Sequence, residues 1–501
     1  MTNSADSLLE DLARQGIRLW VEGPRLRYSS PHGPLSAELL AKLRENKTEL
    51  LARLRADVVR TFPPSFGQRR FFALQKLNPS DSFYNVPFVF RLSGDLNVDV
   101  LRAAFNEIAK RHEILRTTLQ ERSGELLQMI APEGEINLTE ADLAVDRDVH
   151  PDVALDDRLR TETRQPFDLS LQPGLRVLLL RSAPGEYYLQ LCFHNTLFDQ
   201  SSLLVLLKEL SEHYAAMLNG QSVSLPPPTQ YSDYVRWQES LTTSGMEGRV
   251  KYWREWFSRG EPPSWHWVTS RNTPATPDFR AHIVRHSYSP ELTSKLRSLA
   301  QSSGGTVYLT LLTVYAVILS RYTGCDDITL GTTYSNRHHS RFASLIGATI
   351  DVPALRINMS DNPILLCLLA RARTVVAEAL AWQDVPFDYI APRLERKASG
   401  PLFRMVFSYF AELPHGRLRL PGVEVEHREE FINDISRPDL YLVFQENRTS
   451  SGEALTGYWM HKRDVFERET AEKMNREFQA LIAALVDDPT QRVRTLLSNV
   501  Q

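Results

Sequence analysis

Residues 187–200 read YYLQLCFHNTLFDQ, and residues 201–218 continue as SSLLVLLKELSEHYAAML. The first stretch is apolar and β-prone as far as Phe193, while the second repeats leucines at helical spacing. Upstream, LRVLLLRSAPGEYY (175–188) adds a strand before a Pro-Gly turn. His194 to Gln200 therefore lies at a strand-to-helix junction, where a sheet can hold polar side chains in a cleft. A histidine and an aspartate at this spacing carry little specificity alone. The plain alternative is a satisfied histidine followed by an Asp199 that caps the helix.

The same alternation extends outward from this junction. VPFVFRLSG (86–94) and GELLQMIAP (124–132) read as strands, and DVLRAAFNEIAKRHEILR (99–116) as an amphipathic helix. Leu225-Pro226-Pro227-Pro228 marks a change of lobe. Beyond it come helices at 289–304, 306–324, 365–383 and 467–486, and strands at 326–336, 401–410, 439–449 and 454–462. Tyr308–Ser320 is too short for a membrane span and reads as a buried helix. The first 55 or so residues form a separate unit. Leu8, Leu9, Leu12 and Ile17 fit a helix, a hairpin turns at Glu22-Gly23-Pro24, and Ser36 caps a second helix carrying Leu39, Leu40, Leu43 and Leu50.

Composition excludes more than it identifies. The 501 residues carry 58 Lys+Arg against 61 Asp+Glu, a net charge of −3, which argues against a nucleic-acid binder. Cys192, Cys325 and Cys367 are too few and too scattered for a disulfide framework or a zinc site. The N-terminus lacks the pattern of a secretory signal, so a cytoplasmic monomer with no membrane, nucleic-acid or metal partner is expected.

Seven ordered segments give a more specific reading: PSFGQRRFFALQKLNPSDSFYN (64–85), RHEILRTTL (111–119), HNTLFDQ (194–200), YSDYVRWQ (231–238), IGATIDVPALR (346–356), WQDVPFDYI (382–390) and RKASGPLFRMVFSY (396–409). In this order they resemble the motifs of nonribosomal peptide synthetase condensation domains. Residues 8–55 are similar to the TubC-type docking domains that open some synthetase proteins. The resemblance implies an α+β (mixed α/β) fold: two chloramphenicol-acetyltransferase-like lobes in a V, behind a small αββα docking domain. The expected boundaries are 1–56, 57–230 and 231–501. It also implies transfer of a carrier-bound acyl or peptidyl thioester onto an amine or hydroxyl acceptor. The chain itself would bind no cofactor, since phosphopantetheine arms arrive on an upstream carrier protein and on an acceptor carrier, unless the acceptor is a free small molecule. No adenylation or carrier unit is legible, so a free-standing enzyme is expected. The docking hairpin would receive the C-terminal tail of an upstream synthase or synthetase, with Arg18, Arg25 and Arg27 suiting an acidic tail.

Carried over residue by residue, the active-site motif departs from the family. His194 matches the first histidine, Asn195 stands in place of the second, catalytic one, and Gln200 replaces a glycine. Asp199 matches an aspartate that pairs with an arginine in the family, here expected to be Arg116. Asp351 stands where an asparagine is usual. Ser202, Ser65, Gln68, Arg69 and Gln383 complete the expected tunnel set. Asn195 cannot serve as a general base. Two readings stay open: an acyltransferase in which Asn195 orients the reactants or His194 takes over the proton, and an inactive docking platform for carrier or tailoring proteins. A cyclisation variant, with His194, Asp199 and Ser202 on its motif, ranks last. His338-His339 reads as part of a polar surface loop, and Trp265-His266-Trp267 as lobe packing.

Overall fold

The computed structural model describes residues 59–144, 150–243, 246–258, 267, 279–383, 385–394, 401–411, 417–449 and 452–499. In the N-terminal module it describes 8, 11, 12, 14, 15, 17–22, 25–30, 35–47 and 50. There the strands Arg18–Glu22 and Arg25–Ser29 pair as an antiparallel hairpin, with Glu22 opposite Arg25. Ser36 caps the helix Ala37–Glu45 by accepting the Leu39 N–H. Leu12, Ile17, Leu35, Leu43 and Leu50 are buried together. That is a small core, in keeping with the limited burial open to so short a unit. Arg18, Arg25 and Arg27 lie on the hairpin strands, and their side chains lie outside the described residues.

The first lobe is built on a five-stranded sheet in the order Val423–His427, Asn85–Gly94, Glu186–His194, Leu175–Ala183, Leu138–Asp142. Strand alternation sends Phe90 and Leu92 into the core shared with the helices Val98–Arg111 and Gln200–Leu218. Val89 and Leu178 point the other way, against Leu155 and Leu159 of the helix Pro151–Arg164. A smaller sheet of Arg60–Phe62, Glu125–Ile130 and Thr117–Arg122 lies beside it. The second lobe holds a six-stranded sheet in the order Ala281–Tyr288, Gly452–Lys462, Leu440–Thr449, Met405–Phe410, Asp327–Thr332, Ala354–Asn358. Its central helix, Val307–Thr323, is buried over almost every residue, which is why its sequence shows no polar face.

Two features depart from the sequence reading. The helix expected through Arg116 ends at Arg111, and Glu113–Arg116 forms a 3-10 turn. Side-chain demands stop it: buried His112 bonds Glu209 through Nε2 at 2.9 Å, and Glu113 accepts the Ser232 N–H at 2.9 Å. Second, the strand Val423–His427 leaves the second lobe's chain and pairs with Asn85–Gly94 of the first sheet. Gly94 makes that crossing possible: its φ is +131°, and a Cβ there would stand 2.4 Å from the Gly422 carbonyl oxygen. Among the described residues no single helix is long and apolar enough to cross a membrane.

Candidate active site

The strand Glu186–His194 delivers His194 to the lobe junction, but the structure locks it. The Thr196 N–H donates to Nδ1 at 3.2 Å, so Nε2 carries the proton and donates it to Gln75 Oε1 at 2.8 Å. The ring lies edge-on to Tyr84 and Phe167 and is wholly buried. Burial, with Arg176 nearby, pushes its pKa down to about 3. His194 does not line the cavity between the lobes. It is thus tied into the loop and set back from the cavity, an arrangement that disfavours its taking a proton.

Asp199 is the centre of the inter-lobe junction. It caps the helix Gln200–Leu218, with Oδ1 accepting from the Ser202 N–H (2.8 Å) and Ser202 Oγ (2.7 Å). From the other lobe Arg337 Nη2 reaches Oδ1 at 2.8 Å, while the Thr349 N–H and Oγ1 reach Oδ2 at 3.1 and 2.8 Å. The ion pair expected with Arg116 is thus made by Arg337, whose side chain is 7% exposed. Arg116 donates instead to the Ala131 carbonyl, its guanidinium pKa lowered by burial and by Arg60. Ser202 is part of the same knot, since its Oγ also accepts the Gly347 N–H at 2.9 Å. Gly347 is required by close approach: a Cβ would stand 2.0 Å from the Tyr231 ring.

Between the lobes lies a cavity of about 890 Å³. Asn195 and Gln200 line it from the loop, Phe71, Phe88 and Phe193 from the first lobe, and Phe403, Tyr441 and Tyr458 from the second. The Asn195 backbone N–H donates to the Tyr84 carbonyl at 2.9 Å. Its carboxamide makes no hydrogen bond with the described residues, so both its donor and acceptor remain for a ligand. His427, also in the lining, went unnoticed in the sequence. It pairs opposite Phe90, whereas His194 pairs opposite Asn85, five residues along the same strand. At about 3.4 Å per residue this puts His427 roughly 17 Å from the loop along that strand, too far to act as its base.

The remaining expected residues divide. Ser65 and Gln68 form a reciprocal capping box on the helix Phe66–Leu77, and the Tyr231 hydroxyl donates to Ser65 Oγ at 2.9 Å. They brace the wall. Arg69 is exposed and outside the lining, whereas its neighbour Arg70 reaches it and pairs with Asp388 at 2.8 Å. Asp351 is buried behind the wall and accepts the Phe387 N–H at 2.7 Å. Gln383 follows the helix Leu365–Ala381 and does not line the cavity. The His338 and His339 rings lie 4.2 Å apart and pack on Trp237. Trp267 is buried and donates to Asp439 Oδ2 at 2.9 Å, while Trp265 and His266 lie outside the described residues. No cluster of three metal-binding side chains exists among the described residues.

Comparison with known proteins agrees with this architecture. Residues 58–500 match the family model of the Condensation domain, and residues 6–55 that of the TubC N-terminal docking domain. Phosphinothricin tripeptide synthetase PhsC of Streptomyces viridochromogenes is 34% identical over 435 residues, covering 85% of this chain and 39% of its own length. The dimodular nonribosomal peptide synthase of Bacillus subtilis is 30% identical over 479 residues, covering 92% and 20%. The chain thus spans a minor part of these relatives. The X-domain from teicoplanin biosynthesis, also solved in complex with OxyB, superposes with a TM-score of 0.76 at 24% identity. The match covers 86% of this chain and 96% of that one, and shows a shared fold.

Proposed function

Because the chain belongs to the condensation-domain family of nonribosomal peptide assembly lines, with a docking domain of the TubC type ahead of it, we propose that it joins a carrier-bound acyl thioester to an amine acceptor in the cavity between its lobes. In the step itself the amine nitrogen attacks the thioester carbonyl carbon. The C–N bond forms, the C–S bond breaks, the amine's surplus proton goes to water, and the thiolate on the phosphopantetheine arm takes up a proton in turn. The arm belongs to the partner carrier.

The observation that carries this reading is Asn195, a carboxamide that faces the cavity and cannot itself take up a proton. A hydroxyl acceptor needs a base, whereas an α-amine with a pKa of about 7.7–8.0 is substantially unprotonated near neutrality. Holding it against the thioester supplies an effective molarity of about 10⁵–10⁸ M, against about 10²–10⁴ for a positioned base. Amide formation is therefore favoured over ester formation. The Asn195 NH₂ group is suited to stabilise the oxyanion, a role worth about 10²–10³ in rate where it has been removed elsewhere.

The test loads an upstream carrier with its acyl thioester and follows the carrier mass with amine and hydroxyl acceptors. Acyl loss is expected with amines, with a rate that rises with pH and levels off above the acceptor's own pKa. Asn195→Ala should slow it by about 10²–10³, and Asn195→His should speed it by restoring a base. Retention of the acyl group with every acceptor, alongside carrier binding, would overturn this reading in favour of a recruitment platform. That second reading draws on the locked His194, and on a similar fold solved in complex with OxyB.

For the docking domain, we infer that the hairpin edge receives, through strand addition, the acidic C-terminal tail of an upstream protein. Reversing Arg18, Arg25 and Arg27 to Glu should raise KM for the upstream carrier at least several-fold while sparing kcat. An unchanged KM refutes it.

A further inference from the structure

Besides His427, three arginines and one lysine reach the cavity lining, and they fall into two pairs. Arg70 is neutralised by Asp388 at 2.8 Å, and Arg404 by Asp439 at 2.9 Å. Arg437 and Lys462 have no carboxylate within salt-bridge distance among the described residues. Arg437 Nη1 donates to the Tyr84 hydroxyl at 2.5 Å, and its guanidinium stands 5.9 Å from the Phe83 ring centroid. The Lys462 ammonium sits 4.6 Å from the centroid of Phe279. Phe83 and Phe279 pack edge-to-face at 4.3 Å, so the two cations flank one aromatic pair. The backbone fixes this arrangement: the Lys462 N–H donates to the carbonyl of Asp439, two residues after Arg437, at 2.9 Å.

Aromatic faces and one phenolic oxygen do not saturate these groups. An ammonium has three donors and a guanidinium five. Arg437 pulls down the pKa of Asp81, which burial raises, but makes no salt bridge with it. Arg437 is exposed and Lys462 half-buried, so an anion bound between them gains charge-assisted hydrogen bonds without displacing a carboxylate partner. The cluster is also tied to the reacting loop. Tyr84, which takes the Arg437 bond, accepts the Asn195 N–H through its carbonyl.

We propose that Arg437 and Lys462 form an oxyanion subsite of the cavity, taking a carboxylate or a phosphate group carried by the acceptor. The proposal rests on the acyl-transfer reading for calling the ligand an acceptor, but the binding itself does not. A carboxylate would come from a free amino-acid-like amine, and a phosphodiester from the arm of an acceptor carrier, for which free phosphopantetheine is the soluble probe.

The experiment is calorimetric titration of the full chain with two matched pairs, alanine against alanine methylamide, and phosphopantetheine against pantetheine. In at least one pair the anionic member should bind about 10–100-fold more tightly, the range for a charge-assisted hydrogen-bonded contact. The preference should shrink with added salt. Preference confined to the alanine pair assigns a free acceptor, and preference confined to the pantetheine pair assigns the carrier arm. The double variant Arg437→Gln with Lys462→Met should abolish the preference, and Lys462→Arg should keep most of it. Equal binding within both pairs overturns the subsite, as does a preference that survives the double variant. Preference without acyl transfer to any acceptor leaves the subsite standing and removes the transfer reading instead.

Discussion

Asp199 and Asp351 are both buried at the junction of the two lobes, and they are held in opposite ways. Asp199 accepts from five donors on two residues of the second lobe and one of its own, among them the Arg337 guanidinium. Asp351 accepts two backbone N–H groups, from Val352 and Phe387, and no cation touches it among the described residues. The nearby guanidinium, Arg70, is spent on Asp388, whose carboxyl adds to the repulsion. Burial and Asp388 together push the Asp351 pKa upward, the two N–H groups and Arg70 only partly opposing them. One carboxylate is thus a staple paired with a guanidinium of the other lobe, and the other is an acid whose pKa is raised with no cation in contact among the described residues. Donor supply decides which, since the residue type and depth are the same.

The largest test of this contrast is to cut the staple. Asp199→Ala leaves the Arg337 guanidinium buried without its carboxylate and strips Thr349 and Ser202 of an acceptor. Removing one partner of a buried pair costs about 3–5 kcal/mol. A fall of that order is expected in urea unfolding, with acyl transfer lost alongside. Arg337→Met should cost a comparable amount, and the double variant less than the two together, because neither charge is then stranded. A midpoint within error of wild type for Asp199→Ala would show that Asp199 does not staple the lobes.

How far the sequence could reach is visible in the same two residues. The junction of strand and helix around His194 was legible, because leucine spacing changes from strand-like to helical within a few residues. The capping role of Asp199 was legible too. Its partner was not. Arg337 lies 138 residues on, inside SNRHHSRF, a stretch whose polarity reads as surface loop. Polarity reports composition, whereas the arginine's depth comes from the other lobe closing over it. The strand Val423–His427 teaches the same lesson. Its VEVEH alternation marks a half-buried strand, but nothing local says that it pairs in the first lobe's sheet. The locked state of His194 depends on Gln75, 119 residues away, and was likewise out of reach.

The smaller and finer test falls on Asp351. Its folded-state pKa is raised above the unfolded value, so the native state binds the extra proton. The slope of stability with pH follows protons bound in the unfolded minus the native state, which is negative here. The stabilising contribution is therefore full below the ordinary carboxylate range and is lost as pH rises through the raised value. Asp351→Asn, which stays neutral throughout, should remove that dependence. The variant gives up one of two acceptors, so its absolute stability is the less informative quantity. The informative one is the difference from wild type in thermal midpoint, measured at about pH 5 and about pH 8.5. At the higher pH that difference should shift by a few degrees in favour of the Asp351→Asn protein, on a scale of about 2–4 °C per kcal/mol for domains of 150–250 residues. Asp388 titrates beside it and remains in the variant, so part of the wild-type slope should persist. A gap that stays constant between the two pH values would mean that Asp351 keeps its charge throughout, and that two backbone N–H groups hold a buried carboxylate ionised without a cation.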